Sequence, residues 1–132
     1  RGVTPRLRSG AGMWMNKLTG GRYSDLGISA AMAITVDSQG ETRPIEAMSG
    51  GTVDAAYLSL RLSLLEVLYG LDRPPLLLDE SLCQLDDRRA EHFLSMLTGW
   101  CAAGSQCLLF TCHKREGQLL DTIGKFHHIR LS

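Results

Sequence analysis

Hydrophobic residues recur at helical spacing near the start of the chain. The spacing predicts a helix over 5–18, with Thr4 as its capping residue and Pro5 at its first position. Gly20 and Gly21 follow the last apolar residue, and glycine readily takes the left-handed conformation that ends a helix.

A second, longer helix is predicted over about 49–69. It is mainly apolar and carries a narrow polar stripe of Ser59, Ser63 and Glu66, so we expect it to be largely buried. A third helix is expected to begin at a cap formed by Asp86 or Asp87. Its predicted apolar face consists of Ala90, Phe93, Leu94 and Leu97.

Shorter segments have the patterns of strands. Between the first two helices, strands are predicted over 22–26 and 28–37, followed by a turn at 38–40 and a short return strand to Ile45. Three apolar runs have the profile of buried parallel strands: 76–78, 107–111 and 126–131. Strand, helix, strand, short helix, strand predicts an α/β fold with a parallel sheet and crossover helices.

Composition limits the functions open to the chain. Its 132 residues suit one domain, and its 14 basic and 14 acidic side chains cancel, so no net charge attracts nucleic acid or an anionic membrane. The apolar runs are far shorter than the roughly 20 residues that span a bilayer. No signal peptide is visible at the start, and a chain that begins at Arg1 without methionine is expected to be a fragment. The four cysteines form no C-x-x-C pair, and we expect buried free thiols in a reducing cytosol.

Two acids follow the first apolar strand directly. At the carboxyl edge of a parallel sheet, Asp79 could hold Mg²⁺, usually through water, and Glu80 could orient an attacking water. Acids at this position also cap the following helix, which is the simpler interpretation of the pair alone. His113 follows the next strand, so it is expected at the same sheet edge, although a local hydrogen bond would also explain it.

A serine and two glycines precede the long helix. Backbone N–H groups of Ser49, Gly50 and Gly51 could approach a phosphate at this helix N-terminus. A serine cap behind a flexible turn explains the same residues equally well. Asp86 is open to the same two interpretations, as a helix cap and as part of a site.

Taken in order, these parts resemble those of ABC-type ATPases. The segment 48–51 resembles the family's Leu-Ser-Gly-Gly signature, with Met in place of Leu. The strand 75–80 resembles Walker B, Leu85-Asp86 the D-loop, and His113 the switch histidine. The helix sequence at 57–64 and the segment Leu-Thr-Gly-Gly-Arg-Tyr at 18–23 resemble the corresponding segments of SbcC-like and YhaN-like members, which have long coiled coils.

The chain is thus identified as similar to the C-terminal lobe of an SMC/RecN/SbcC/YhaN-like ATPase head. The resemblance implies that 1–20 end a returning coiled-coil helix, and that 21–132 form the lobe with a small antiparallel element. It implies that Asp79 helps to hold Mg²⁺, that Glu80 positions or activates the hydrolytic water, and that His113 touches the γ-phosphate of ATP.

The family's partners and setting are implied in the same way. Ser49, Gly50 and Gly51 would reach the γ-phosphate of ATP bound to a second head, with Asp86 near that interface. The other partner would be the P-loop lobe of the same protein, and DNA would be engaged only through the full protein, in repair or chromosome maintenance. A cytoplasmic location follows, including association with the nucleoid, and no membrane partner is expected.

One family motif is absent from the sequence. No window fits the P-loop pattern G-x-x-x-x-G-K-[ST], which supplies the main cradle for the β- and γ-phosphates. We therefore expect the chain alone neither to bind ATP tightly nor to hydrolyse it.

Two other functional classes compete with this interpretation. The first is a non-catalytic interaction module derived from an ATPase, which the presence of all three residues Asp79, Glu80 and His113 disfavours. The second is a hydrolase or metal protein that uses neighbouring residues, either Cys112 with His113 or His127 with His128. Adjacent residues on a strand point to opposite faces, which argues against both pairs.

Overall fold

The computed structural model describes the backbone of residues 3–131 and the side chains of residues 5–131. Within that range the chain forms an antiparallel sheet with the order β1-β2-β3 and a parallel pair, β4-β5. The α-helices are α1 (Val3–Leu18), α2 (Gly50–Tyr69), α3 (Asp87–Ala102) and α4 (Lys114–Ile123), and a short 3-10 helix spans Ile45–Ala47. The strands are β1 (Asp25–Ile28), β2 (Ile34–Ser38), β3 (Glu41–Pro44), β4 (Leu76–Asp79) and β5 (Cys107–Phe110). The predicted α/β class is confirmed.

Helix α1 ends at the glycine pair, as predicted. Gly20 and Gly21 have φ angles of 61° and 86°, and the N–H of Gly21 donates to the carbonyl of Asn16 at 2.8 Å. This left-handed cap satisfies a carbonyl that the helix itself leaves free. The predicted cap at Thr4 lies outside the described side chains.

The single strand predicted over 28–37 is wrong, because the structure divides it into a hairpin. The N–H of Ser29 donates to the carbonyl of Ala33 at 3.0 Å, and Met32 adopts a φ of 62°. A positive φ at methionine is uncommon. Turns are usually recognised in a sequence by glycine or proline, and this one contains neither, so the sequence carries no sign of it. The next turn is confirmed at Gln39 and Gly40, whose φ angles of 51° and 81° suit a tight hairpin.

Helix α2 is buried on the face that was expected to be polar. Ser59 and Ser63 are buried against α1, and the Ser63 hydroxyl donates to the carbonyl of Leu7 at 2.8 Å. A side chain at Gly10 would collide with Ser63, so small residues on both helices allow the close approach. The expectation of a largely buried helix is therefore wrong for the outer face, where three large side chains are exposed: Tyr57, Leu64 and Leu68.

The β4-α3-β5 unit is the predicted parallel pair with its crossover helix. Its register runs from Leu76 opposite Cys107 to Asp79 opposite Phe110. One face of β4, with Leu76 and Leu78, is buried in the core. The opposite face of the β4-β5 pair exposes Leu77, Leu108 and Phe110. We call this surface the open sheet face.

The strand predicted over 126–131 is wrong for the described residues, where this segment joins neither sheet. An apolar run becomes a strand only where a neighbouring strand supplies its hydrogen bonds, and the described sheets offer it none. Its apolar side chains are exposed instead, most strongly Ile129 and Leu131.

All four cysteines are free, as predicted, but the expectation that they are buried is wrong. Cys83, Cys101 and Cys112 are exposed and Cys107 is half-buried. Among the described residues, no helix combines the length and apolar character needed to cross a membrane.

Candidate functional site

Glu80 leaves β4 in an unusual backbone conformation. Its φ of 54° lies in the left-handed region, which costs a non-glycine residue roughly 1–2 kcal/mol. The N–H of Glu80 donates to the carbonyl of Phe110 at 2.8 Å and so extends the pairing of β4 with β5 by one bond. Backbone strain of this kind concentrates at functional sites.

The strained turn aims the Glu80 carboxylate at the residues that follow β5. Oε1 accepts the backbone N–H of Cys112 at 2.9 Å. Oε2 lies 3.4 Å from the Cys112 sulfur and 3.3 Å from Nε2 of His113. The structure therefore places Glu80 and His113 together, beyond the carboxyl ends of two adjacent parallel strands.

The Cys112 contacts shift the acidity of both partners. The hydrogen bond from the Cys112 N–H is the main cause that lowers the pKa of Glu80 below its ordinary value of 4.5. Glu80 is therefore ionised at neutral pH, as a residue that orients or deprotonates water must be. In return, its carboxylate raises the pKa of the Cys112 thiol, so Cys112 is not an activated nucleophile.

The prediction that Cys112 and His113 point to opposite faces is wrong. Strand β5 ends at Phe110, so both residues lie beyond the strand and its alternation does not apply to them. Their side chains converge on Glu80 instead.

Asp79 is the last residue of β4, and its side chain is exposed. Among the described side chains, its carboxylate makes no hydrogen bond or ion pair, so both oxygens are available to a ligand. A free carboxylate beside an ionised glutamate fits Mg²⁺, which takes oxygen ligands and keeps several of its waters.

The serine and glycines lie at the N-terminus of α2. Ser49 caps the helix and accepts the N–H of Thr52 at 3.3 Å. A Cβ on Gly51 would lie 2.8 Å from the backbone carbonyl oxygen of Gln84. The glycine thus permits close contact between this turn and the segment that leads to Asp86.

Asp86 caps α3, as the simpler interpretation predicted. Its carboxylate accepts the N–H of Arg89 at 2.8 Å. The guanidinium of Arg89 in turn donates to the Thr52 hydroxyl at 3.2 Å. The N-termini of α2 and α3 are therefore joined side by side.

Sequence reasoning missed Arg115, which connects these two parts. Its guanidinium donates to the carbonyls of Leu82 and Leu85, each at 2.7 Å, and to Glu116 at 3.1 Å. Glu116 is only 2% exposed. Arg115 follows His113 by two residues and holds the segment between Glu80 and Asp86. An arginine beside a glutamate in a short helix resembles an ordinary surface pair, so no sequence signal marked it.

Solved structures with the same fold are SMC head domains. The Pyrococcus furiosus Smc head, crystallised with the C-terminal domain of ScpA, matches 87% of this chain with a TM-score of 0.69 and 18% identity. An SMC ATPase described for ATP-driven dimerization and DNA-stimulated activation matches 89%, with a TM-score of 0.72 and 20% identity. The chain has the fold of the C-terminal lobe of an SMC-like, ABC-type ATPase head.

A sequence relative points to the same group. The uncharacterized protein YhaN of Bacillus subtilis is 30% identical over 112 residues, which are 83% of this chain and 12% of YhaN. No family model matches the chain. The lobe thus spans about an eighth of its curated relative, 30% of the Pyrococcus furiosus chain and 73% of the other SMC chain.

Proposed function

We propose that this lobe is the C-terminal half of an ATPase head that binds and hydrolyses ATP with a P-loop lobe and a second head. The observation that supports the proposal most is Glu80. A strained residue at the end of a parallel strand holds an ionised carboxylate 3.3 Å from a histidine, at the sheet edge where α/β proteins bind ligands.

Three residues at this sheet edge would have separate roles in ATP hydrolysis. Asp79, whose carboxylate is free, would hold Mg²⁺, which neutralises charge on the phosphates. Glu80 orients the attacking water and accepts its proton, since a carboxylate has lone pairs beyond those that Cys112 and His113 engage. His113, 54% exposed, donates to the γ-phosphate.

Ser49, Gly50 and Gly51 serve the ATP of a second head. Both Ser49 and Gly50 are exposed at the N-terminus of a 20-residue helix, where backbone N–H groups and the helix dipole favour an anion. Asp86 lies at the neighbouring N-terminus of α3, near the same interface. ATP would then close the dimer because each nucleotide contacts both heads.

The P-loop lobe is the proposed occupant of the open sheet face. Parallel sheets are normally covered on both faces, yet Leu77 is 52% exposed and Phe110 44% exposed. Strands from that lobe would also pair with 126–131. Helix α1 would continue the returning coiled coil, so that residues 1–20 and 21–132 form the two proposed regions.

The biological task is proposed from the relatives. One SMC ATPase is described for DNA-stimulated activation, which suggests DNA repair or chromosome maintenance in the cytoplasm or on the nucleoid. DNA would be reached through the full protein, because this lobe is charge-balanced.

The test is Mg²⁺-dependent ATP hydrolysis by this lobe joined to its P-loop lobe. Glu80→Gln should reduce turnover roughly 10²-fold or more, because general-base catalysis is lost, while ATP-bound dimers accumulate. Glu91→Gln, at an exposed acid of α3, is the matched control and should leave turnover unchanged. Equal inertness of folded wild-type and Glu80→Gln heads would instead favour the non-catalytic interaction module. Tight ATP binding by the lobe alone would refute the dependence on the P-loop.

A further inference from the structure

Glu80, Cys112 and His113 form a cluster of three metal-ligating groups beyond the ends of β4 and β5. One ligand atom from each residue lies within 4.8 Å of the other two. Within the described part of the chain, no other trio of histidine, cysteine or acidic side chains is this close.

Two of the three separations between ligand atoms in this cluster match a tetrahedral metal site, and the third, between the ligand atoms of Cys112 and His113, is at most 4.8 Å. Zinc bonds of about 2.0–2.3 Å at tetrahedral angles place neighbouring ligand atoms about 3.3–3.8 Å apart. In the structure, Oε2 of Glu80 lies 3.3 Å from Nε2 of His113 and 3.4 Å from Sγ of Cys112. We propose that the cluster binds a borderline divalent transition metal such as Zn²⁺.

The donor set selects the kind of metal. A thiolate and an imidazole suit Zn²⁺ and its neighbours in the first transition row, whereas Mg²⁺ takes oxygen ligands and retains its waters. The proposed site is therefore chemically distinct from the Mg²⁺ position at Asp79, although the two adjoin along the chain.

The site is held in place and open to ions. The hydrogen bond from the Cys112 N–H to the second carboxylate oxygen fixes Glu80 against the segment that carries the other two ligands. The Cys112 side chain is exposed, and those of His113 and Glu80 are 54% and 36% exposed. A metal can thus enter from solvent, with water as its fourth ligand, and the thiol proton is released on binding.

Metal binding has a consequence that rests on the proposed function. Zn²⁺ would occupy Glu80 and His113, the residues proposed to handle water and the γ-phosphate, so micromolar zinc should inhibit the complete head reversibly. The ratio of ATP turnover with and without zinc, compared between wild type and Cys112→Ser, measures this effect. Binding itself can be tested without any ATPase activity.

The experiment is titration of the chain with Co²⁺, whose bond to a thiolate gives a charge-transfer absorption band in the near ultraviolet. We expect one Co²⁺ per chain, displaced by Zn²⁺ but not by excess Mg²⁺. Cys112→Ser should abolish the band, and His113→Ala should weaken Co²⁺ binding roughly tenfold or more because a ligand is lost. Both side chains are exposed, so neither change should disturb folding, which circular dichroism verifies.

Cys101→Ser is the matched control, because it removes a thiol near Cys107 that could offer a competing soft site. Its cobalt spectrum should equal that of the wild type. No band in the wild type, or a band that survives Cys112→Ser, would overturn the inference. A band without zinc inhibition of the complete head would keep the metal site and count against the roles proposed for Glu80 and His113.

Discussion

Arg115 should contribute strongly to the stability of the fold, although its side chain is partly exposed. Its guanidinium donates two hydrogen bonds of 2.7 Å to the carbonyls of Leu82 and Leu85. Each hydrogen bond to a charged group contributes about 1.5–3 kcal/mol, and the 28% exposure of Arg115 favours the lower end. Arg115→Met should therefore cost about 3 kcal/mol from these two bonds.

Loss of Arg115 also leaves a buried charge without its main partner. Glu116 is 2% exposed, and its remaining donor is the Thr111 hydroxyl at 3.4 Å. An uncompensated carboxylate adds further cost, so the total for Arg115→Met should reach about 3–5 kcal/mol. A second change, Glu116→Gln, removes that charge and should restore about 1–2 kcal/mol in the double variant.

Urea unfolding followed by far-ultraviolet circular dichroism measures these free energies. The control is Arg88→Met, at an exposed arginine of α3 that has no polar contact among the described side chains, and it should change stability by less than about 0.5 kcal/mol. A cost of Arg115→Met no greater than that of Arg88→Met would contradict the stabilising role of Arg115. Further destabilisation of the Arg115→Met variant by Glu116→Gln would contradict the cost assigned to the buried charge.

Two further predictions concern Gly51, at the N-terminus of α2, and the half-buried thiol of Cys107. Gly51→Ala places a methyl group 2.8 Å from the Gln84 carbonyl oxygen and should cost about 1–3 kcal/mol, whereas Gly99→Ala, in open space on α3, should stabilise by about 0.5–1 kcal/mol. Urea unfolding compares the two. Burial raises the pKa of Cys107 to about 11, so its alkylation by iodoacetamide, followed by mass spectrometry, should stay slow up to pH 9 and accelerate towards pH 11.

Each of these two predictions would be contradicted by a specific result. Equal effects of alanine at Gly51 and Gly99 would show that the turn does not pack tightly against Gln84. Alkylation of Cys107 at neutral pH as fast as that of the exposed Cys83 would show that its thiol is neither buried nor neutral.

Local chemistry decides what the sequence predicts well in this fold. The end of α1 at Gly20 and Gly21 and the cap at Asp86 depend on a few neighbouring residues, so both are visible in the sequence. The parallel strand pair is equally clear, because short apolar runs followed by acids or histidine are typical of buried strands.

The sequence predictions fail where contacts between residues far apart in the chain determine the structure. Met32 turns the chain without a glycine, because the hairpin of β1 and β2 requires a turn there. Ser59 and Ser63 are polar yet buried, because α1 approaches α2 closely at those positions. The segment 126–131 has a strand pattern, but the described sheets give it no neighbour.

The site shows the same division. Position at a strand end predicted that Glu80 and His113 would lie at one sheet edge. Their contacts could not be predicted, because the Cys112 N–H and Arg115 reach residues about 30 positions away in the sequence. The positive φ of Glu80 also arises from pairing with β5 and has no local marker.

The central claim is that one head supplies Glu80 while its partner supplies Ser49, Gly50 and Gly51. It can be tested by mixing two inactive complete heads, one with Ser49→Arg and one with Glu80→Gln. A mixed dimer contains one intact site, formed by Glu80 of the first head and Ser49 of the second. Random pairing in two-fold dimers should restore roughly a quarter of the wild-type turnover. Recovery of that size is the predicted result, and a mixture that dimerises with ATP but stays as inactive as either variant would contradict the account.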